Sequence, residues 1–298
     1  MKISEPIKGT IAIGLSAIMW GFDGVVLTPR LYNLDVGYVV FMLHMIPFLL
    51  MNLFLFRQYN ELKYFTKQDY ITFSLVALFG GAIGTIAIVK ALFLVQFQQL
   101  TVVVLLQKLQ PIFAITLAAI LLKEKIKKDF ILWASLAIVA SYFLTFGLRI
   151  PDLSADRNTI NASLLAVLAA FSFGSSTVFS KSLLRRHNFI TATFFRYGFT
   201  TLFMLIYIIA FSQYEQIHFT TPLNWLFLIL IGVTTGSGAI FIYYYGLKRV
   251  RAMAATISEL LFPVSAIFFD YIVNGSYLSP IQFLAAGVMV FALVKITL

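Results

Sequence analysis

Five side chains that can carry a charge lie well away from the ends of long apolar stretches in this sequence, where charged residues are rare. They are Asp23, His44, Lys108, Arg196 and Glu259. An ionisable group in such surroundings is costly, so it is usually paired, bound to a polar ligand or used to move an ion or a proton. The chemistry to consider is therefore ion pairing, solute binding and proton transfer, and it depends on the elements that position these groups.

The composition shows which kind of structure holds them. Of the 298 residues, 60% are hydrophobic and 11% are charged, whereas soluble domains have roughly 45–50% and 25%. A membrane-spanning helix needs roughly 20 mainly apolar residues, so a chain of this length can form about ten spans. We therefore predict an all-α integral membrane protein and exclude a soluble globular domain.

Ten apolar segments are separated by charged or turn-forming residues, and each is predicted to be a transmembrane helix. The first follows Lys2 and Lys8, but no small-residue cleavage pattern comes after it, so we interpret it as a helix rather than a secretory signal. Thr221 before Pro222 is a typical helix start. The predicted helices cover residues 9–29, 37–56, 70–92, 101–122, 130–148, 162–181, 190–211, 223–246, 253–273 and 281–298.

The basic residues indicate how these helices are oriented. Most of the 22 lysines and arginines fall in loops on the side where the chain begins, including the run Lys123–Lys128. Cytoplasmic loops carry such an excess, so we predict a multi-pass protein of the plasma (inner) membrane with both termini cytoplasmic. This distribution also explains the net charge of +10, and no nucleic-acid partner is expected.

The two halves of the chain resemble each other at nearly constant offsets. The offset is 153 residues between helices one and six, 155 between three and eight, and 152 between four and nine. Since each half has an odd number of spans, the second half must insert upside down relative to the first. We therefore predict two inverted five-helix repeats, over residues 1–148 and 162–298, joined by a periplasmic or extracellular linker over 149–161.

Inverted repeats are characteristic of secondary transporters, whose solute site lies near the membrane midplane between the repeats. The expected partners are a small-molecule solute, the lipid bilayer and protons. A monomer and a homodimer both fit this pattern.

Short motifs at repeat-related positions support this interpretation. They are Trp20-Gly21, Gln110-Pro111, Lys123-Glu124 and Phe262-Pro263. With them the chain resembles the drug/metabolite transporter superfamily, specifically its ten-helix EamA-type permeases. Where that family often has Gly-Glu in both halves, this chain has Lys123-Glu124 in the first and Gly275-Ser276 in the second, so Glu124 has no counterpart. The resemblance implies alternating-access transport of a small organic metabolite, most often an amino acid or related compound, commonly outward and driven by a proton gradient or by exchange.

Two prolines are predicted to form hinges beside the site. Proline removes a helical hydrogen bond, so Pro111 should free the carbonyl of Gln107, and Pro263 should free that of Glu259. Gln107 and Glu259 are themselves 152 residues apart. The alternative is that these prolines serve helix packing.

The five ionisable residues are predicted to form two clusters. At 1.5 Å per residue, Asp23, His44 and Lys108 lie ~9–10 Å below the outer edge of the membrane. Arg196 and Glu259 each lie ~9 Å above the inner edge. We hypothesise two clusters of mixed sign that flank a central cavity and form or break as access alternates, or that hold a zwitterionic solute. Static ion pairs that stabilise the bundle are the alternative.

Three aromatic residues complete the predicted substrate-binding or gating set. Trp20 and its repeat equivalent Phe173 are expected to line the cavity. Tyr243 lies near the inner end of helix eight, where an interfacial aromatic belt is the alternative. The full set is Trp20, Asp23, His44, Gln107, Lys108, Phe173, Arg196, Tyr243 and Glu259, with hinges at Pro111 and Pro263.

Other function classes have little support. The chain has no cysteine, no His-Glu-x-x-His or Gly-x-Ser-x-Gly motif, and only three scattered histidines, so we expect neither an enzyme nor a metal site or cofactor. No Walker motif is present, so ATP is not expected to drive transport. A membrane channel or a membrane-embedded enzyme is the alternative to a transporter.

Overall fold

The computed structural model describes residues 4–95, 103, 106–148, 157–275 and 279–297, and this part of the chain is helical without strands. Within it, nine helices are long and apolar enough to cross a membrane. A tenth apolar helix is shorter, with 12 described residues. We number the helices α1 Glu5–Leu31, α2 Val36–Tyr64, α3 Lys67–Leu94, α4 Gln110–Leu121, α5 Lys128–Phe146, α6 Arg157–Leu184, α7 Phe189–Ala210, α8 Pro222–Arg249, α9 Ala252–Val273 and α10 Pro280–Thr297.

Several helices extend beyond their predicted apolar segments. α6 begins at Arg157, so residues 157–161 of the predicted linker are helical, while 149–156 lie outside the described residues. α2 continues into a 3₁₀ segment over Phe56–Tyr64. Hydropathy detects only the part of a helix in hydrocarbon, whereas polar residues can continue the helix through the headgroup layer.

Two kinds of helix irregularity recur at equivalent places in the two halves. α3 contains a π-helical segment at Ala77–Ile83, and α8 contains one at Gly232–Gly238, 155 residues later. α9 is interrupted between Ser258 and Leu261, and α4 begins at Gln110 directly after a turn. The interruptions lie beside the prolines that were expected to disturb these helices.

The interruption in α9 does not leave the backbone carbonyl of Glu259 without a hydrogen bond, as the sequence predicted it would. The carbonyl of Glu259 was expected to be free because Pro263 cannot donate to it. Instead it accepts a 2.9 Å hydrogen bond from the amide of Phe262. A tight i→i+3 turn thus satisfies the carbonyl that proline leaves, as is common where an α-helix is broken.

Helices from the two halves are interleaved. α1 packs against α8 and α9, and these three form what we call unit A. α6 packs against α3 and α4, and these three form unit B. The pairs α2–α7 and α5–α10 pack beside them. We call the surface where α4 and α6 of unit B meet α8 and α9 of unit A the seam.

Glycines allow the closest helix crossings in both units. A Cβ on Gly21 of α1 would lie 2.8 Å from the amide nitrogen of Ala266 and 3.0 Å from the carbonyl of Phe262 in α9. A Cβ on Gly174 of α6 would lie 2.9 Å from the carbonyl of Gln110 in α4. Both crossings therefore require glycine, and both involve residues at the offsets of 152–153.

α3 and α8 begin with the same capping box. The Thr66 hydroxyl accepts from the amide of Asp69, whose carboxylate in turn accepts from the amide of Thr66. Thr221 and Asn224 repeat this pattern 155 residues later. A capping box satisfies amide groups that have no partner inside the helix, which fixes both helix starts.

Each box also joins its helix to another helix of the same unit, in a contact that we call a clasp. Asp69 binds Arg186 at 3.1 Å and His187 at 2.9 Å, just after the end of α6. Asn224 exchanges hydrogen bonds with Asn33 after α1, the shorter at 3.0 Å. The ionic clasp lies at the end of the bundle where α1, α3, α5, α7 and α9 begin, which we call the basic end, and the neutral clasp lies at the opposite end.

Candidate functional site

Glu259 lies at the seam and connects its two sides. The phenol of Tyr243 in α8 donates a 2.6 Å hydrogen bond to Oε1 of Glu259, and Nε2 of Gln110 in α4 donates a 2.8 Å bond to Oε2. The ring of Trp20 in α1 lies 5.4 Å from that of Tyr243. The predicted residues Trp20, Tyr243 and Glu259 are thus brought together, with Gln110 added from unit B.

Two successive tyrosines of α8 make further bonds across the seam. The phenol oxygen of Tyr243 lies 3.0 Å from Oγ1 of Thr177, and that of Tyr244 lies 2.7 Å from Oγ of Ser180. The two tyrosines are 4% and 0% exposed. Tyr243 therefore faces the interior of the protein rather than the interfacial aromatic belt that was the alternative.

Arg196 of α7 lies beside this row of hydroxyl groups. Its Nη1 donates to the phenol of Tyr244 at 3.0 Å, and its Nη2 donates to the carbonyl of Gly80 at 3.1 Å. Gly80 belongs to the π-helical segment of α3, where the wider turn disturbs the regular pattern of helical hydrogen bonds. The Nε atom of Arg196 is buried without a partner among the described residues.

The predicted ion pair between Glu259 and Arg196 is not formed. Within the described part of the chain, no carboxylate oxygen lies within 4.0 Å of Arg196. Instead, Glu259 is bound by Tyr243 and Arg196 by Tyr244, and the two phenol rings lie 5.9 Å apart. Polar neutral groups thus satisfy each charge separately, a possibility that spacing along the helices could not reveal.

The predicted outer cluster is also not joined by direct bonds. Asp23 accepts from the hydroxyl of Thr28 at 3.0 Å, and Nδ1 of His44 lies 2.8 Å from the carbonyl of Val40 in its own helix. Lys108 lies in the turn before α4 and makes no hydrogen bond or ion pair with a described residue. These bonds of Asp23 and His44 thus go to groups about one turn away in their own helices and not to each other.

The remaining predicted residues make no side-chain hydrogen bond to Glu259. Phe173 of α6 packs at Gly84 of α3, inside unit B. Gln107 is partly buried, and its side chain makes no hydrogen bond with a described residue. Pro111 follows directly after Gln110, which bonds to Glu259. Pro263 follows directly after Phe262, whose carbonyl lies at the crossing with Gly21.

Sequence reasoning missed several residues that bond to the predicted ones. Gln110 was noted only as part of a motif, although an amide next to a helix-breaking proline indicates an unusual position. Thr177 and Ser180 belong to a polar stripe on α6, which also contains the buried residues Ser172, Ser175 and Ser176. Hydroxyl groups at helical spacing in an apolar segment were the available signal for this face.

No described group of three or more His, Asp or Glu side chains is placed to hold a metal ion. The arrangement at the seam is instead a row of hydroxyl, amide, carboxylate and guanidinium groups beside aromatic rings.

Comparison with protein families identifies the class to which this architecture belongs. The model of the EamA-like transporter family matches the chain twice, over residues 7–146 and 160–298. The chain therefore belongs to this family and is a multi-pass membrane transporter. The resemblance drawn from the short motifs, to the drug/metabolite transporter superfamily, is confirmed.

Individual relatives extend this result. The riboflavin transporter ImpX of Fusobacterium nucleatum is 49% identical over 98% of this chain and 98% of its own length. An uncharacterized transporter of Synechocystis is 24% identical over 78% of this chain and 69% of its own. A solved crystal structure superposes with a TM-score of 0.72 over 97% of this chain and 98% of that chain, at 15% identity, and supports the fold alone.

Proposed function

We propose that this protein is a secondary active transporter of riboflavin or a closely related flavin. The observation that carries the proposal is the 49% identity, over nearly the full length of both chains, with a riboflavin transporter. A flavin thus takes the place of the amino acid expected from the family resemblance. The proposal concerns one small organic solute carried by alternating access, not a channel or an enzyme.

The proposed architecture is two inverted five-helix repeats over residues 1–148 and 162–298, joined by a linker over 149–161. The double match to the family model supports this division. So do the π-helical segments 155 residues apart and the interleaved packing of units A and B. His44 and Tyr197, which are 153 residues apart, have ring centres 5.2 Å from each other, as expected for equivalent positions near a two-fold axis.

The seam provides the chemistry that a flavin would need. The flat ring system of a flavin can stack on the indole of Trp20 or the phenol of Tyr243, since such ring pairs favour offset or tilted contacts. Its ring carbonyls can accept hydrogen bonds from Arg196 and Gln110, its imide N–H can donate to the amide oxygen of Gln110, and its hydroxyl groups can donate to Glu259. Binding would then replace bonds that join the two units across the seam.

The other predicted residues are proposed to act along the path of the solute. Gln107 and Lys108 lie just before α4, and Phe173 lies on α6, both helices of unit B. Asp23 belongs to unit A, while His44 lies on α2. Pro111 and Pro263 are proposed as hinges because each lies within three residues of a helix interruption. Movement at these points would alter access without unfolding α4 or α9.

Membrane location, orientation and energy source are proposed from the sequence and its family resemblance. The basic end is proposed to face the cytoplasm of a plasma (inner) membrane because cytoplasmic loops carry the excess of lysine and arginine. Outward transport driven by a proton gradient or by exchange stays the prediction. One chain contributes both units, so a monomer would contain a complete path, and a homodimer would contain two.

The proposal is tested by following labelled riboflavin across the membrane of cells that lack other flavin transporters. Cells that produce the protein should move riboflavin at a rate that saturates, and unlabelled flavins should compete whereas amino acids should not. Reversing an imposed proton gradient should alter the rate if protons are coupled. Flux that does not saturate would indicate a channel, a chemically altered product would indicate an enzyme, and no flavin flux above that of control cells would refute the proposal.

A further inference from the structure

We infer that Glu124, in the loop between α4 and α5, is a gating residue that holds the basic end of the protein closed. This inference rests on the alternating access proposed above. It concerns a contact outside the central site and assigns a role to the acidic residue that has no counterpart in the second half.

The carboxylate of Glu124 binds the start of α9 across the seam. Its Oε1 accepts from the amide of Ala252 at 2.9 Å, and its Oε2 accepts from the amide of Met253 at 3.2 Å. These amides have no partner inside the helix, and the start of a helix carries a partial positive charge. A carboxylate is therefore a strong acceptor at this place.

Other bonds cross between the units at the same end. Arg251, just before α9, donates to the carbonyl of Lys125 at 3.0 Å. Lys181 of α6 donates to the last carbonyls of α8, those of Leu247 at 2.8 Å and Lys248 at 3.1 Å. Together with the bonds of Glu124 they form a layer that joins the two units at the basic end, beyond Glu259 and Tyr243. Every bond in this layer must break before the units can separate there.

The clasps behave differently because each lies within one unit. The bonds from Asp69 connect α3 with the residues after α6, both in unit B. The bonds from Asn224 connect α8 with the residue Asn33 after α1, both in unit A. Separation of the units leaves both clasps intact. The bonds of Glu124 can thus exist only while the basic end is closed, whereas the clasps hold each unit together whether that end is closed or open.

The backbone explains how Glu124 reaches α9. Lys123 has a φ of 54°, in the left-handed region, and this turn ends α4 and directs the next residue toward α9. Gly275 is 152 residues later and has a φ of 69°. The residue after Gly275 is Ser276 in the sequence, which lies outside the described residues and has no carboxylate to offer. Of these two equivalent positions, only the one at the basic end therefore carries a carboxylate.

Cysteine labelling tests this inference because the native chain has no cysteine. Ser180→Cys places a small thiol at the seam, where the serine is 1% exposed. In inverted vesicles, a membrane-impermeant maleimide added from the basic end should label this thiol slowly. Adding Glu124→Gln should raise the labelling rate about tenfold, since a bond to a charged group is worth about that factor. Equal rates with and without Glu124→Gln would overturn the inference.

Two further variants keep the result interpretable. Asp129→Asn removes an exposed carboxylate at the same end, in the first turn of α5, and should leave the labelling rate unchanged. If Glu124→Gln does not fold, Lys181→Met removes another bond of the layer and should also increase labelling. An unchanged rate for this second variant would equally overturn the inference. No flavin is added in these experiments, so their outcome is independent of whether riboflavin is the solute.

Discussion

The phenol of Tyr243 donates a 2.6 Å hydrogen bond to the carboxylate of Glu259, and the same carboxylate accepts from Gln110 across the seam. Tyr243 and Glu259 belong to α8 and α9 of unit A, whereas Gln110 belongs to α4 of unit B. One acidic group therefore both organises the interior of unit A and binds the two units together. Its substitution should affect transport more than folding.

Glu259→Gln should reduce flavin transport at least about tenfold, because an amide has one acceptor oxygen where the carboxylate uses two and the lost bond involved a charged group. Membrane insertion and the elution profile in detergent should be unchanged. Glu215→Gln is the matched control, since Glu215 is exposed between α7 and α8. Wild-type transport by a correctly folded Glu259→Gln variant would exclude this carboxylate from the mechanism.

The two glycine crossings should be equally sensitive to a single methyl group. Gly21→Ala and Gly174→Ala each place a Cβ within 3.0 Å of the backbone of a neighbouring helix, and such overpacking costs about 1–3 kcal/mol. Both variants should lower the midpoint of thermal unfolding in detergent. Gly287→Ala is the control, because a Cβ there meets no atom within 4 Å. A loss confined to one of the two crossings would contradict their equivalence.

The ionic clasp should contribute more to stability than a carboxylate at the same end without such bonds. Asp69→Asn removes the charge-assisted bonds to Arg186 and His187, at a cost of about 1.5–3 kcal/mol. Glu61→Gln, at the same end but without such bonds in the described structure, should change the unfolding midpoint little. If the two substitutions have the same effect, the clasp does not hold α3 against α6.

Lys123 and Gly275, which both have a left-handed backbone conformation, should respond to substitution in opposite ways. Lys123→Gly should be neutral or stabilising by up to about 1 kcal/mol, because glycine adopts a φ of 54° without the steric cost that other residues have there. Gly275→Ala should be destabilising by about 1–2 kcal/mol at a φ of 69°. Thermal unfolding of both variants provides the check. Destabilisation by Lys123→Gly would show that the lysine side chain contributes more than the backbone.

Much of the fold could be predicted because its determinants are local. Apolar segments of sufficient length mark the helices, and the constant offsets that link Gly21 to Gly174 mark equivalent crossings. The prolines placed the interruption of α9 within a few residues. Helix ends were less predictable, as for α6 at Arg157, because a helix in the headgroup layer needs no apolar residues.

The bonds within the site were less predictable because they depend on rotation and packing of helices distant in sequence. Glu259 and Arg196 were placed at similar depth, but depth does not reveal that two successive tyrosines of α8 separate them. The π-helical segment that presents the carbonyl of Gly80 to Arg196 leaves no clear sequence signal. Likewise, the isolated Glu124 gave no indication that its partner is the start of α9.

Counterflow in liposomes tests the central claim most directly. Liposomes that contain the purified protein and a high concentration of unlabelled riboflavin are diluted into a trace of labelled riboflavin. An alternating-access carrier should accumulate the label transiently above its equilibrium level, and liposomes with Glu259→Gln should not. If the label enters at the same rate whether or not riboflavin is inside, and never exceeds equilibrium, the protein does not carry riboflavin by alternating access.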